Sequence, residues 1–292
     1  MTIGALRAAG VSLLRQHGVE SPELDASLLL AYLFKKDRTW LILNQEAVCD
    51  SQLQEAYYSL LSKRTSGQSI AYITSTKEFM GLDFAVSPAV LVPRPDTEVL
   101  VEKALEWLTV TAQQYAQERK VIDLCTGSGC IGISMAYNYP TIKLTLSDIS
   151  TEALALSKKN AEKILGSERA QSIRYIHSDL LAYFLEQQEQ FDLIVTNPPY
   201  VPRHIIPCLA KEVQQEPVLA LDGGEDGLDL IRKIIMQAMV LLNEGGAIFL
   251  ESDPEQILSI QELLKNNGFH AIESYPDLSG ALRCTKGSKR ST

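Results

Sequence analysis

The sequence predicts an α/β protein: a seven-stranded, mostly parallel sheet with helices on both faces, preceded by a small helical bundle and a β-hairpin linker. Three observations predict it. The first ~75 residues carry helical periodicity alone. After Lys120 short apolar strands alternate with helical patterns, the signature of a parallel sheet covered on both faces. The last two apolar runs, Phe269 to Tyr275 and Ala281 to Lys286, are joined by too few residues for a crossover helix and should close the sheet as an antiparallel hairpin.

The elements follow in order. Ser21-Pro22-Glu23 reads as a helix start, with a capping hydroxyl, proline at the first helical position and an early acid. Leu24, Leu28, Leu29, Tyr32 and Leu33 then recur at helical spacing. A second start at Asp50 leads Leu53, Tyr57, Leu60 and Leu61 along one face, with Gly67 as terminator. These amphipathic helices should pack on one another as a domain over 1–75. Phe79, Met80, Leu82, Phe84 and Val86 to Val92, broken by Gly81, Ser87 and Pro88, predict a hairpin linker over 76–92. The domain over 93–292 opens with Pro93-Arg94-Pro95-Asp96-Thr97-Glu98 and a helix from about Thr97. Strands are expected at Val121 to Leu124, Leu144 to Ser147, Ile173 to His177, Leu193 to Thr196 and Ala247 to Glu251. Helices are expected at Glu152 to Ile164, Leu228 to Leu242 and Glu255 to Asn266.

Composition narrows the function classes. With 292 residues, 46% of them hydrophobic, the chain can bury two domain cores. A formal charge of −9 argues against broad electrostatic attraction to nucleic acid. The five cysteines are scattered, without CxxC pairs or histidine clusters, so neither a disulfide framework nor a zinc site is expected. The uncharged stretch from Leu124 to Ile142 is interrupted by glycines, Pro140 and polar residues, which disqualifies it as a membrane span. No signal-peptide pattern is visible, and a cytoplasmic location is the expectation.

Two motifs carry chemistry. Gly127-Ser128-Gly129 and Gly132 form a GxGxxG directly after a strand and before a helix, where the backbone can approach a ligand closely. Alone this is weak. Asp148 ends the next strand, nineteen residues after Gly129, and Asp179 follows the third, so three successive strands finish in an acid: Asp123, Asp148 and Asp179. A dinucleotide such as NAD and S-adenosylmethionine both fit that geometry. Three acids suit a ligand bearing a sulfonium and an ammonium better than one bearing a pyrophosphate. The closing antiparallel hairpin favours S-adenosylmethionine by fold analogy.

The second motif is Asn197-Pro198-Pro199-Tyr200, at the end of the fourth strand. Two prolines stiffen the chain beyond Asn197. The side-chain oxygen of Asn197 and the carbonyl of Pro198 are two fixed acceptors, which match the two N–H groups of a planar NH₂. Tyr200 offers an aromatic face for a planar substrate or for the positive sulfur. Accepting from both N–H groups raises electron density on a delocalised nitrogen as it takes up a methyl group. No side-chain base is needed, and His204 reads as a loop residue.

These residues resemble a known signature. Asn197-Pro198-Pro199-Tyr200 is similar to the motif of methyltransferases acting on planar NH₂ groups, both adenine N6 and glutamine N5 enzymes. Pro93 to Glu98, Phe79-Met80-Gly81, Leu221 to Leu228 and Ser279 to Arg283 together resemble the release-factor glutamine methyltransferases of the HemK/PrmC type, over essentially the whole chain. The resemblance implies a class I methyltransferase (Rossmann-like) sheet. It also implies methylation of the side-chain amide of the glutamine in the GGQ tripeptide of peptide chain release factors. It assigns Cys125, Thr126, Gly127, Ser128, Gly129, Asp148, Asp179, Leu180 and Asn197 to S-adenosylmethionine, and Asn197, Pro198, Pro199 and Tyr200 to the glutamine. Cys125, where the family commonly has glycine, Leu180, where some members have tryptophan, and Glu251-Ser252-Asp253 depart from the pattern. The alternatives are an adenine-N6 methyltransferase on DNA or RNA, which the acidic balance opposes, and a protein that holds the cofactor without turnover, which the intact Asn197 to Tyr200 motif opposes.

Overall fold

The computed structural model of the protein describes residues 1–112 and 118–291. It groups into two compact units: Met1–Thr76 with Ala210–Gln215, and Lys77–Leu209 with Glu216–Thr292. Among the described residues no helix is long and apolar enough to cross a membrane.

The first unit is helical: α1 (Ile3–Gln16), α2 (Pro22–Phe34), α3 (Arg38–Leu43), α4 (Ser51–Thr65) and α5 (Ile70–Thr74). Asp50 caps α4 by accepting from the Leu53 amide, as its sequence position predicts. Leu6, Leu14, Leu29, Leu30, Tyr57 and Leu61 form the fully buried core. The face of α2 is rotated from the predicted one. Leu24 and Tyr32 are exposed, and Asp25 takes the inward position because Arg64 of α4 meets it there at 2.7 Å. Arg64 is itself buried and holds a second acid, Glu212. The predicted hydroxyl cap at Ser21 is absent as well, since Ser21 Oγ donates to Asp25 instead of accepting from the helix start.

The second unit opens with β1 (Thr76–Phe79) and β2 (Leu82–Ala85), a hairpin shorter than the sequence suggests. Met80 and Gly81 both adopt positive φ, which suits a two-residue turn, but the chain from Val86 to Arg94 stays irregular. Phe79 and Phe84 meet edge-on with centroids 6.2 Å apart and are buried in the core of this unit, worth roughly 1.5–3 kcal/mol each. Then come α6 (Glu98–Ala112), β3 (Lys120–Leu124), α7 (Cys130–Asn138), β4 (Lys143–Asp148), α8 (Thr151–Leu165), α9 (Ser167–Ser172), β5 (Arg174–His177), α10 (Ala182–Glu186), β6 (Phe191–Thr196), α11 (Asp229–Leu241), β7 (Leu242–Glu251), α12 (Ile257–Asn266), β8 (His270–Pro276) and β9 (Leu282–Ser288).

The seven strands from β3 onward form one sheet in the order β5-β4-β3-β6-β7-β9-β8, parallel except at β9, which runs antiparallel to both β7 and β8. Alternating residues feed opposite cores. Val121, Leu193, Val195 and Phe249 face the side of α6 and α7, whereas Ile122, Ile194, Ile248 and Leu250 face α11 and α12. The α/β class, the seven strands and the antiparallel ending agree with the sequence. The strand order reverses between β3 and β6, and there a crevice opens beyond the strand ends.

Candidate active site

At this crevice Thr196 Oγ1 donates to the Leu124 carbonyl at 2.8 Å, tying the ends of β3 and β6 together. Beyond Leu124 the chain turns through Cys125 at φ 59° and Gly127 at φ 54° before entering α7. Cys125 pays the steric cost of a left-handed conformation in a non-glycine residue.

The three strand-end acids divide into two kinds. Asp123 is fully buried; its Oδ2 accepts from Thr126 Oγ1 at 2.6 Å and from the Gly132 amide at 2.9 Å. A side chain at Gly132 would come within 2.9 Å of Asp123 Cβ, so this third glycine serves helix packing. Burial pushes the Asp123 pKa up to about 7. Asp123 is thus an internal brace of the loop, which corrects its reading as one of three ligand-facing acids. Asp148 faces the crevice: Oδ2 accepts from the Gly127 amide and Oδ1 from the Ser150 amide, both at 2.9 Å. Burial raises its pKa, against the pull of those amides.

The Asn197 to Tyr200 segment is held from three sides. Asn197 Nδ2 donates to Thr97 Oγ1 at 3.3 Å, and Thr97 sits in the 3₁₀ turn Pro95–Thr97 that starts α6. With the NH₂ end engaged there, the oxygen end is left as an acceptor. The Tyr200 hydroxyl donates to Glu251 Oε1 at 3.3 Å, and its carbonyl accepts from Gln256 Nε2 at 2.9 Å. Burial, then the Glu251 charge, pushes the Tyr200 phenol above its ordinary pKa. The stretch from Leu221 to Leu228 packs on this backbone. A side chain at Gly223 would lie 2.7 Å from Tyr200 Cα, and one at Gly227 2.2 Å from its carbonyl oxygen.

A cavity of about 350 Å³ occupies the crevice. Cys125, Thr126, Gly127, Ser128, Asp148, Asp179, Leu180, Asn197 and Pro199 line it, together with Thr97, Arg94 and apolar side chains such as Leu91, Ile149 and Ala153. Gly129, Pro198 and Tyr200 stand outside the lining: Gly129 caps α7, and the Tyr200 ring is committed through its hydroxyl. Ser128 Oγ is buried without a hydrogen-bond partner, a polar atom open to a ligand. Arg94 pairs at 2.6 Å with the buried Glu216.

Sequence reasoning missed Thr97, Glu251, Glu216 and Asn160. Asn160 accepts from the Ala85 amide and donates to the carbonyls of Ala85 and Ser128, joining the hairpin to the glycine loop. Only Thr97 carried a usable signal, its place in the Pro93 to Glu98 motif.

Comparison with known proteins decides the family. Residues 5–74 match the PrmC N-terminal domain, and residues 99–214 match the methyltransferase small domain. The release factor glutamine methyltransferase of Clostridium acetobutylicum is 39% identical over 269 residues, 92% of each chain. That of Clostridium botulinum is 36% identical over 290 residues, 99% of this chain and 100% of the relative. The chain belongs to the release factor glutamine methyltransferase family. Solved methyltransferases of low identity share the fold of this family member. The hMettl16 catalytic domain aligns with TM-score 0.56 at 15% identity, over 80% of this chain and 82% of its own. A Pyrococcus furiosus methyltransferase aligns with TM-score 0.50 at 18% identity, over 79% and 98%.

Proposed function

We propose that this methyltransferase moves the methyl group of S-adenosylmethionine to the side-chain amide nitrogen of the glutamine in the GGQ tripeptide of peptide chain release factors. The observation that carries the reading is the orientation of Asn197. Its NH₂ end is turned to Thr97, so its oxygen is the end available in a cavity that also holds Asp148 and the glycine loop.

Bound S-adenosylmethionine supplies an electrophilic methyl carbon on a positive sulfur. The residues present fit it. The Asp148 carboxylate keeps free lone pairs for ribose hydroxyls, Ser128 Oγ is an unpartnered donor, and Leu91, Ile149 and Leu180 offer apolar walls for adenine. Asp179 adds negative charge on the same rim. The glutamine amide would sit against Asn197 Oδ1; the Pro198 carbonyl, which stands outside the cavity lining, would have to meet the same amide once substrate is bound, with Pro199 fixing the turn. Two acceptors on its N–H groups concentrate electron density on nitrogen as it attacks, and that interaction strengthens toward the transition state. Tyr200 acts in this scheme by anchoring the segment through Glu251 and Gln256. The same reading divides the chain into a helical domain over 1–75, a hairpin linker over 76–92 and a methyl-transfer domain over 93–292, in the cytoplasm and without direct contact to nucleic acid.

The test incubates the full chain with isotopically labelled S-adenosylmethionine and a release factor and locates the label by mass spectrometry. Label on the GGQ glutamine is expected, and a Gln→Ala change in that tripeptide should abolish it. Label on added nucleic acid instead would overturn the proposal.

A further inference from the structure

We propose that Glu251 is a positioning residue for methyl transfer, orienting Asn197 through Thr97 and Tyr200 directly. The inference rests on the reading of Asn197 as acceptor for the substrate nitrogen, and it names a residue outside the cavity on which that acceptor depends.

An amide side chain has an oxygen end and an NH₂ end of nearly equal shape, and the partner of the inner end decides which one faces outward. At Asn197 that partner is the Thr97 hydroxyl, which accepts from Nδ2. A hydroxyl can also donate. If the Thr97 proton turned toward Asn197, the amide would rotate and present N–H groups to a substrate that itself carries N–H groups. The Thr97 proton therefore needs an acceptor elsewhere. Thr97 is 2% exposed, so bulk solvent is not a dependable source of one.

Glu251 does. It ends β7, whose Leu250 is in register with Thr196, the residue before Asn197. The Thr97 hydroxyl lies close enough to its carboxyl to pull the Glu251 pKa down against burial. Oε1 takes the Tyr200 hydroxyl, and Oε2 is buried without a partner, which leaves an acceptor for the Thr97 proton. An ionised carboxylate accepts only. Both hydroxyls must then donate inward, and the chain of bonds runs in one direction, from Asn197 through Thr97 to Glu251. One buried carboxylate thereby holds both ends of the Asn197 to Tyr200 segment.

The charge of Glu251 matters for the same reason. Burial pushes its pKa up to about 7; Arg283 opposes that rise, Asp96 adds to it, and Tyr200, Cys130 and Cys284 complete the titratable surroundings. When Glu251 takes a proton, one of its oxygens becomes a donor, and the direction of the chain is no longer imposed.

The experiment compares wild type with Thr97→Val, Thr97→Ser and Glu251→Gln. Thr97→Val and Glu251→Gln should lower kcat by about tenfold or more, as loss of orientation does, while affinity for S-adenosylmethionine by calorimetry stays within about threefold. Thr97→Ser, which keeps the hydroxyl, should retain the rate. Wild-type kcat should fall as pH drops below about 7, and Glu251→Gln should lack that acid limb. An unchanged kcat in both Thr97→Val and Glu251→Gln, or an acid limb that persists in Glu251→Gln, overturns the inference. A readout independent of substrate is proton exchange at the Asn197 side-chain NH₂ in ¹⁵N-labelled protein. Protection is expected in wild type and Thr97→Ser and lost in Thr97→Val, a variant with no donor or acceptor at that place. Equal protection in wild type and Thr97→Val sinks the positioning role whatever substrate is methylated, whereas failure of wild type to label glutamine sinks only the assigned reaction. Thermal melting of each variant separates loss of fold from loss of orientation.

Discussion

At the scale of single residues, the site works by committing one end of each polar group so that the other is free. Asn197 shows this most directly, with its NH₂ held by Thr97 and its oxygen left over. Its acceptor role belongs to the transition state, so Asn197→Ala should lose most single-turnover rate while retaining cofactor affinity. An undiminished rate on purified release factor would remove Asn197 from the chemistry. Asp148 has each oxygen braced by a backbone amide, which fixes the carboxylate in place. Asp148→Ala should weaken S-adenosylmethionine binding by ~1–3 kcal/mol, the range for a hydrogen bond to a charged group. Calorimetry checks it, and unchanged affinity would contradict a ribose contact. Cys125 adopts φ 59°, where its resemblance to the family expects glycine, so this chain tolerates a strained turn at the cavity wall.

At the scale of elements, the fold keeps the Asn197 to Tyr200 turn rigid from behind. Two prolines stiffen it from within, and the loop from Leu221 to Leu228 presses on it from outside. Val201 donates to the Leu221 carbonyl and accepts from the Gly223 amide, a short parallel bridge between the two loops. Gly227 lies at φ 78°, and a side chain there would meet the Tyr200 carbonyl at 2.2 Å. Gly227→Ala should therefore displace the turn and destabilise this unit by ~1–3 kcal/mol, the usual cost of overpacking. It should also lower kcat more than cofactor affinity. Urea unfolding and kinetics test both parts; a variant with wild-type midpoint and kcat would show that the two loops are not in such close contact. The hairpin is coupled to the glycine loop in a comparable way, by Asn160 bonding to both Ala85 and Ser128.

At the scale of the whole chain, buried acids set the pH response. Asp123 and Glu251 have pKa values raised to about 7 by burial, against roughly 4 in an unfolded chain. A raised pKa means that the folded state binds the proton more tightly. The stabilisation is complete below the unfolded pKa and is lost as pH rises through about 7. The urea midpoint should decline between about pH 4 and 7, and Asp123→Asn should flatten that decline; a midpoint independent of pH in wild type would refute it. Stability and turnover then move in opposite directions on acidification. The sheet, its antiparallel ending, the helix start at Asp50 and the Asn197 to Tyr200 turn were legible because periodicity, capping and proline chemistry are local. The inward turn of Asp25 was not, because it depends on Arg64, thirty-nine residues away. Glu251 was hidden too, and Thr97 was visible only through its place in the Pro93 to Glu98 motif, since each gains its role only where the sheet brings distant segments together. That pairing of Asp25 with Arg64 has a biosynthetic side. Arg64 is satisfied by two acids, and the second, Glu212, lies in a short segment that joins the helical unit from far along the sequence. A nascent chain leaving the ribosome therefore carries its first helices for a long interval with Arg64 paired to Asp25 alone, its second acid and the segment around it still to come. The amino-terminal unit reaches its final state late in synthesis, after the Asn197 to Tyr200 segment has already been made.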